Sequence, residues 1–391
     1  MRFLALIMGL ALFGAVASSQ AQEKPNYKIG IVTATTGSAS VIAAPANNAI
    51  ALFEEQLAAQ KNLPFTVQFI KYDDASDPTK SVNAVRKLIQ DDKVDVVVCC
   101  TTTPSSLAIN KVIEDSKVTA ISMSAGAAVV EPVSEKRYMF KTPITDRLMI
   151  NYTLDEMKRK GIKTVAFMGL DDAYGEGAWV EFKELAAKKG IRIVADERFS
   201  RGDTNFAPQA LRVVRANPDA VYFHAIPPSA ALAHEALKRV GYKGPIYHGA
   251  GSPTSSFIAI GKQSVEGAIV GATPITVYKE LPKDNPLVPV ITSFVNAYDT
   301  KYGQGKAEIF ATQGYDAVGL AVDALKRYTA SGKKGDLAQR RMDIRDILEN
   351  THDYIGTVGI FNYSPTDHVG LDTRTLFLVQ VKNGQFKLLK D

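Results

Sequence analysis

Two cysteines and three threonines follow one another in CCTTTPSS, residues 99–106, directly after the apolar run VDVVV at 94–98. Thiols can hold a metal or pair with each other. Hydroxyls at a helix start can hold an anion, because the first backbone N–H groups of a helix lack partners and carry a partial positive charge. Cys99 and Cys100 are the only two cysteines and are adjacent, so they staple no long loop. A vicinal disulfide and a pair of buried thiols both fit that placement. The threonines point to the capture of a carboxylate at the turn from strand to helix.

Other chemistries find few residues to carry them. The five histidines are far apart, with no HExxH and no close His/Cys grouping, so neither a metal nor a cofactor is expected. GAGSPTS at 249–255 lacks the G-x-S-x-G spacing of a nucleophile elbow, and YGEGAW at 174–179 is only a lone G-x-G. The net charge of +5 is scattered, with no basic block interleaved with aromatics. No nucleic-acid partner is expected from that pattern.

The elements that must position these residues alternate regularly. β-Branched runs occur at 27–33, 66–72, 94–99, 118–122, 163–169, 191–197 and 219–225, with amphipathic stretches between them. In PTKSVNAVRKLIQDD, Val82, Val85, Leu88 and Ile89 form one apolar face; Asp77 is placed to cap the helix and Pro78 suits its first turn. The alternation runs through 27–122 and again through 163–272, which predicts an α/β fold of two Rossmann-like lobes with parallel sheets. After Pro274 the pattern is mainly helical, and RTLFLVQVKNGQFKLL ends the chain with a hairpin signal at Asn383–Gly384. Residues 1–21 run from charged through apolar to small residues, the order of a secretory signal peptide, with cleavage expected after Ala21 or Ala17. An exported, soluble protein is expected, in the periplasm.

In parallel sheets, ligands bind beyond the carboxyl ends of the strands. Those ends read TATTGSAS, CCTTTPSS, SMSAGAA, GLDDAYGEG, HAIPPSA and YHGAGSPTSS, most of them small and poor in charge. One such junction is an ordinary helix cap. Several of them, in two lobes, describe a cleft for a solute.

DDASDPTKSVNAVRKLIQDDKVDVVV, the helix after TTTPSSLAI, DDAYGEG, RGDTNFAPQALRVV, ANPDAVYF and SPTDHVGLD, in that order and spacing, resemble the periplasmic leucine/isoleucine/valine-binding proteins of ABC importers. The likeness runs from Tyr27 to the end. It implies a type I periplasmic binding fold, with the ligand closed between lobes joined by three hinge crossings. The implied lobes are 27–145 with 277–354, and 146–276 with 355–391. By position the resemblance gives Thr103 the ligand carboxylate, Ala125 and Ala127 backbone contacts to the ligand head, Tyr174 packing from the second lobe, and Ser40 the loop that closes over the side chain.

One departure bears on the ligand. Where amino-acid binders carry an acid for the ligand ammonium, this chain has Gly249-Ala250-Gly251, and HAIPPSA offers none either. A buried ammonium without an anion is costly. His248 and His224 can bond a polar substituent instead. The expected function is that of a monomeric binding protein, not an enzyme, which captures a small apolar carboxylate for an ABC transporter permease. Branched-chain amino acids are the family default, and an aromatic or aliphatic acid without an amine suits the missing anion. A periplasmic ligand sensor of the same fold and a secreted hydrolase are the alternatives.

Overall fold

The computed structural model describes residues 24–390, so the expected signal peptide lies outside the described residues. The first sheet holds β1 (Asn26–Thr33), β2 (Thr66–Asp73), β3 (Val96–Cys99), β4 (Thr119–Ser122) and β5 (Met139–Lys141), all parallel, in the order β2-β1-β3-β4-β5. The second holds β6 (Thr164–Leu170), β7 (Arg192–Phe199), β8 (Ala220–His224), β9 (Ile246–His248) and β10 (Ile269–Ala272). A small hairpin, β11 (Tyr354–Ile355) with β12 (Ile360–Phe361), precedes β13 (Phe377–Lys382) and β14 (Gln385–Leu388). The last two extend the second sheet antiparallel, giving the order β14-β13-β10-β9-β8-β6-β7.

Local chemistry sets these elements. Asp77 accepts from the N–H groups of Thr79 (2.7 Å) and Lys80 (3.2 Å), which starts the helix Pro78–Gln90. Val85, Leu88 and Ile89 on that helix are buried against the first sheet. In the second sheet, alternate residues face opposite cores, as the strand period of two requires. Met168 and Phe223 enter one cluster, while Phe167 and Tyr222 enter the other. Asn383 and Gly384 both adopt positive φ, the geometry of a tight hairpin between β13 and β14.

The chain passes between the sheets three times: after β5, after β10, and before β13. The helices Ile309–Ala330 and Leu337–Glu349 pack on the first lobe through Ala317, Leu320, Ile344 and Leu348. Val358, Phe361, Tyr363 and Leu376 join that same core. The third passage therefore comes at β13, about twenty residues beyond the boundary at 355 expected from the sequence. The apolar side chains of SPTDHVGLD draw the segment onto the first lobe: Val369 and Leu371 are buried there.

Both sheets turn the same feature toward the cleft. β1 lies between β2 and β3, and β6 lies between β7 and β8, so each sheet has a point where successive connections leave in opposite directions. Ligands of open α/β sheets sit at such points. The pairing Val32↔Cys99 sets the ends of β1 and β3 side by side, and Gly169↔His224 does so for β6 and β8.

Candidate functional site

A cavity with about 700 Å³ of atom-free space, its mouth included, lies between the two sheets' carboxyl edges. Its first-lobe wall is the start of the helix Thr103–Ser116. Thr102 caps that helix by accepting from the Ser105 N–H, and Pro104 occupies the first turn, where no N–H is needed. Thr101 Oγ1 accepts from the Ala34 N–H at 3.3 Å, tying the β1 and β3 ends together. Thr103 Oγ1 accepts from the Gly126 N–H at 3.3 Å, which leaves the hydroxyl hydrogen to be donated. Behind them the hydroxyls of Ser106, Ser122 and Ser124 bond one another at 2.8–2.9 Å and fix the following loop. Cys99 and Cys100 are fully buried and joined as a vicinal disulfide.

The second-lobe wall centres on Tyr174. Asp172 accepts from the N–H groups of Tyr174 (2.9 Å) and Gly175 (3.2 Å), so it caps the helix Ala173–Lys189. Gly175 is required there: a Cβ would stand 1.9 Å from the Leu170 carbonyl oxygen. Gly251 faces the tyrosine from the opposite loop, where a Cβ would lie 3.1 Å from Tyr174 Oη and 2.8 Å from Ile226 Cγ2. Burial, and secondarily the nearby Asp146, raise the Tyr174 phenol well above its ordinary range, so it remains a donor. Between the walls the cavity is apolar, with Ile42, Met123, Ile144, Met149 and Phe310 among its lining.

Of the residues named from the sequence, Thr103, Ala125 and Tyr174 line the cavity. Four do not. Ser40 begins the helix Ser40–Ala58 at its partly exposed end, and Ile42 reaches the cavity instead. Ala127 opens a short 3-10 turn whose geometry turns its carbonyl to the N–H groups of Val130 (3.2 Å) and Glu131 (3.0 Å). His248 is core: it stacks on Phe223 at 4.8 Å, meets His234 Nδ1 at 2.9 Å through Nε2, and burial depresses its pKa strongly. His224 lies behind the wall, its ring 4.2 Å from that of Tyr174.

The expectation that no acid reaches the cleft is corrected. Asp146, at the first turn of the helix Asp146–Arg159, lines the cavity and is 5% exposed. Its Oδ1 stands 3.4 Å from His224 Nε2, and its Oδ2 has no hydrogen-bond partner among the described residues. Arg201 also lines the cavity; its Nε donates to Asp172 Oδ2 at 2.6 Å, while Nη1 is buried without a partner among the described residues. Lys141 is fully buried behind the first-lobe loop and donates to the Ala125 carbonyl and, at 3.4 Å, to that of Gly126. Burial brings its pKa down to about 8, against the opposing pull of Asp146. The signal for Asp146 is TPITDRLM, a strand end followed by a threonine at the helix N-cap position and an acid. That stretch lies in the crossing between lobes, not at a junction within one sheet.

Two α/β lobes closed on a cleft at their switch points, with polar groups contributed from both sides, define a solute-binding protein. A family model described as periplasmic binding protein matches residues 26–385, and the chain belongs to that family. Within it the chain groups with the leucine/isoleucine/valine-binding, type I members. It is 30% identical to an extracellular ligand-binding receptor from Rhodopseudomonas palustris HaA2, with a TM-score of 0.86 over 93% of this chain and 99% of that one. A leucine-binding protein, LivK, from Thermotoga maritima shares the fold, with a TM-score of 0.80 at 23% identity over 93% of this chain and 98% of that one. The leucine-, isoleucine-, valine-, threonine- and alanine-binding protein of Pseudomonas aeruginosa is 26% identical over 266 residues, 66% of each chain. The chain thus spans about two thirds of that curated relative.

Proposed function

We propose that this protein is the periplasmic solute-binding component of an ABC importer, which captures a small, largely apolar carboxylate by lobe closure and presents it to the membrane permease. The observation that carries this reading is the start of the helix Thr103–Ser116, where Thr103, its hydroxyl hydrogen left to be donated, lines a cavity walled on its other side by Tyr174. A carboxylate there accepts charge-assisted hydrogen bonds. The relatives named for leucine, isoleucine and valine support a small-solute ligand. Among the described residues no helix is long and apolar enough to cross a membrane.

The buried Asp146 removes the argument that an ammonium finds no anion. Another observation favours an amine-free acid. The Lys141 ammonium bonds the Ala125 and Gly126 carbonyls, so a ligand ammonium taking those same acceptors would stand beside a fixed cation. Calorimetric titration with leucine, benzoate and hexanoate tests the reading. Saturable 1:1 binding of a carboxylate, weakened by Thr103→Ala, supports it; turnover of the ligand, or no binding by any of the three, overturns it.

A further inference from the structure

A second gap, with about 1440 Å³ of atom-free space, its mouth included, opens between the lobes beside the first crossing. The loop 127–133 and the segment 366–371 wall it on the first lobe, and Glu181 on the second. Arg147 bridges it. Nη1 donates to Glu131 Oε2 at 2.8 Å, while Nε and Nη2 donate to Glu181 Oε2 and Oε1, both at 2.7 Å.

The two carboxylates belong to different lobes. Glu131 follows Val129 and Val130, which are buried in the first lobe's core, and Lys136 donates to its carbonyl. Glu181 sits on the helix Ala173–Lys189 beside Phe182, which is buried in a second-lobe core. Arg147 is the second residue of the helix Asp146–Arg159, just past the crossing. Whichever lobe it follows, the bridge Glu131–Arg147–Glu181 runs from one lobe to the other, so parting the lobes there breaks one of its links. The forked pairing with Glu181 is the stronger link, and the single bond to Glu131 is the one that gives.

Without the guanidinium, the two carboxylates face each other across the gap and repel. Neither Glu131 nor Arg147 lines the ligand cavity, but the chain that carries Glu131 is the one that lines it through Ser124 and Ala125. We propose that Glu131, Arg147 and Glu181 form an ionic latch that favours the closed form, so that ionic strength regulates affinity at the ligand site. The proposal rests on the capture by lobe closure described above. A ligand that needs the closed form binds more weakly in proportion as that form is less populated.

The test combines calorimetry on the mature protein, using whichever of leucine, benzoate and hexanoate binds tightest, with small-angle scattering of the ligand-free protein. The Arg147–Glu131 pair is partly exposed, so a small factor is expected. Glu131→Gln should weaken affinity about threefold or, where the free protein already rests closed, enlarge its radius of gyration. In an Arg147→Met background the same substitution should act in the opposite direction, because it then removes a repulsion. That reversal separates the latch from a through-space effect, in which neutralising an acid tightens binding of an anion in both backgrounds. In 1 M salt, where charges are screened within about 3 Å, each variant should fall within about 1.5-fold of the native chain at the same salt. If Glu131→Gln changes neither affinity nor radius, if its effect has the same sign with and without Arg147, or if the difference survives in 1 M salt, the latch fails while carboxylate capture stands. If none of the three ligands binds the native chain, the capture reading fails and the latch with it.

Discussion

The Ser255 N–H donates to Glu308 Oε2 at 3.2 Å, joining a helix start on the second lobe to the residue that precedes the helix Ile309–Ala330 on the first. Phe310, two residues on, packs against the second lobe's core, as do Ile42 and Ala43 from the first. These contacts cross the cleft, so they form only when the lobes are together. Burial raises the Glu308 carboxyl above its ordinary range, with the Ser255 bonds opposing that rise.

Closure is therefore the first expected outcome. A ligand that touches Thr103 on one wall and Tyr174 on the other stabilises the closed form only through that difference in contacts. Small-angle scattering should show a smaller radius of gyration with ligand than without. Glu308→Ala removes the two cross-lobe bonds from the Ser255 N–H and hydroxyl, near the surface, and should weaken affinity by about 1 kcal/mol, roughly fivefold. An unchanged radius on tight binding would mean the lobes do not hinge.

Thr103 supplies the second. A hydrogen bond to a charged acceptor contributes roughly 1.5–3 kcal/mol, so Thr103→Ala should weaken carboxylate binding about tenfold or more. Thr103→Ser keeps the hydroxyl and should keep most of the affinity. The methyl of Thr103 also matters: a Cβ on Gly126 would stand 2.6 Å from Thr103 Cγ2, so Gly126→Ala should disturb the same loop. Titration calorimetry on the three variants separates hydroxyl from packing.

Asp316 gives a pH dependence. It is buried, and it accepts from the Thr357 N–H (2.8 Å), the Thr357 hydroxyl (2.9 Å) and the Val358 N–H (2.7 Å). Burial nonetheless pushes its pKa up to about 6. A carboxyl raised above its unfolded value contributes stability below that value and loses it as pH rises through the folded pKa. Unfolding free energy should then fall between pH 4 and 6, by at most about 3 kcal/mol from this residue. Urea melts across that range should show a flatter slope for Asp316→Asn than for the native chain; parallel slopes would remove Asp316 as the cause.

Much of this architecture was legible because strands and helices of a parallel sheet carry strong local patterns. The cap at Asp77, the Asn383–Gly384 turn and the threonines after β3 are one-residue or two-residue signals read without knowing the fold. Thr103 and Tyr174 lie at strand-end junctions that the sheet rule marks, but their individual roles come only through the family resemblance. Asp146, Arg201 and Lys141 take a role from neither. Asp146 enters from a crossing between lobes, Arg201 is carried in by its pairing with Asp172, and Lys141 is buried where an isolated lysine in YMFKTP reads as surface. His248 misled for the opposite reason: a histidine at a strand end suggests a ligand contact, but its ring is stacked into the core beside Phe223 and His234.

Lys141 gives the last prediction. Its ammonium holds the Ala125 and Gly126 carbonyls, and Ala125 lines the cavity at the carboxylate end. The cation therefore shapes the loop and adds positive potential where the ligand is anionic. Burial depresses its pKa to about 8, so the charge is present at neutral pH and lost as pH rises through that value. A ligand carboxylate stays ionised across the same range. Affinity for an anionic ligand should accordingly drop by about threefold or more between pH 7 and 9.5. Lys141→Met should lower affinity at pH 7 and flatten the profile. Titrations at four pH values on both proteins decide it: equal slopes would assign the loss to another group, and a rise with pH would put the carboxylate at the opposite end of the cleft.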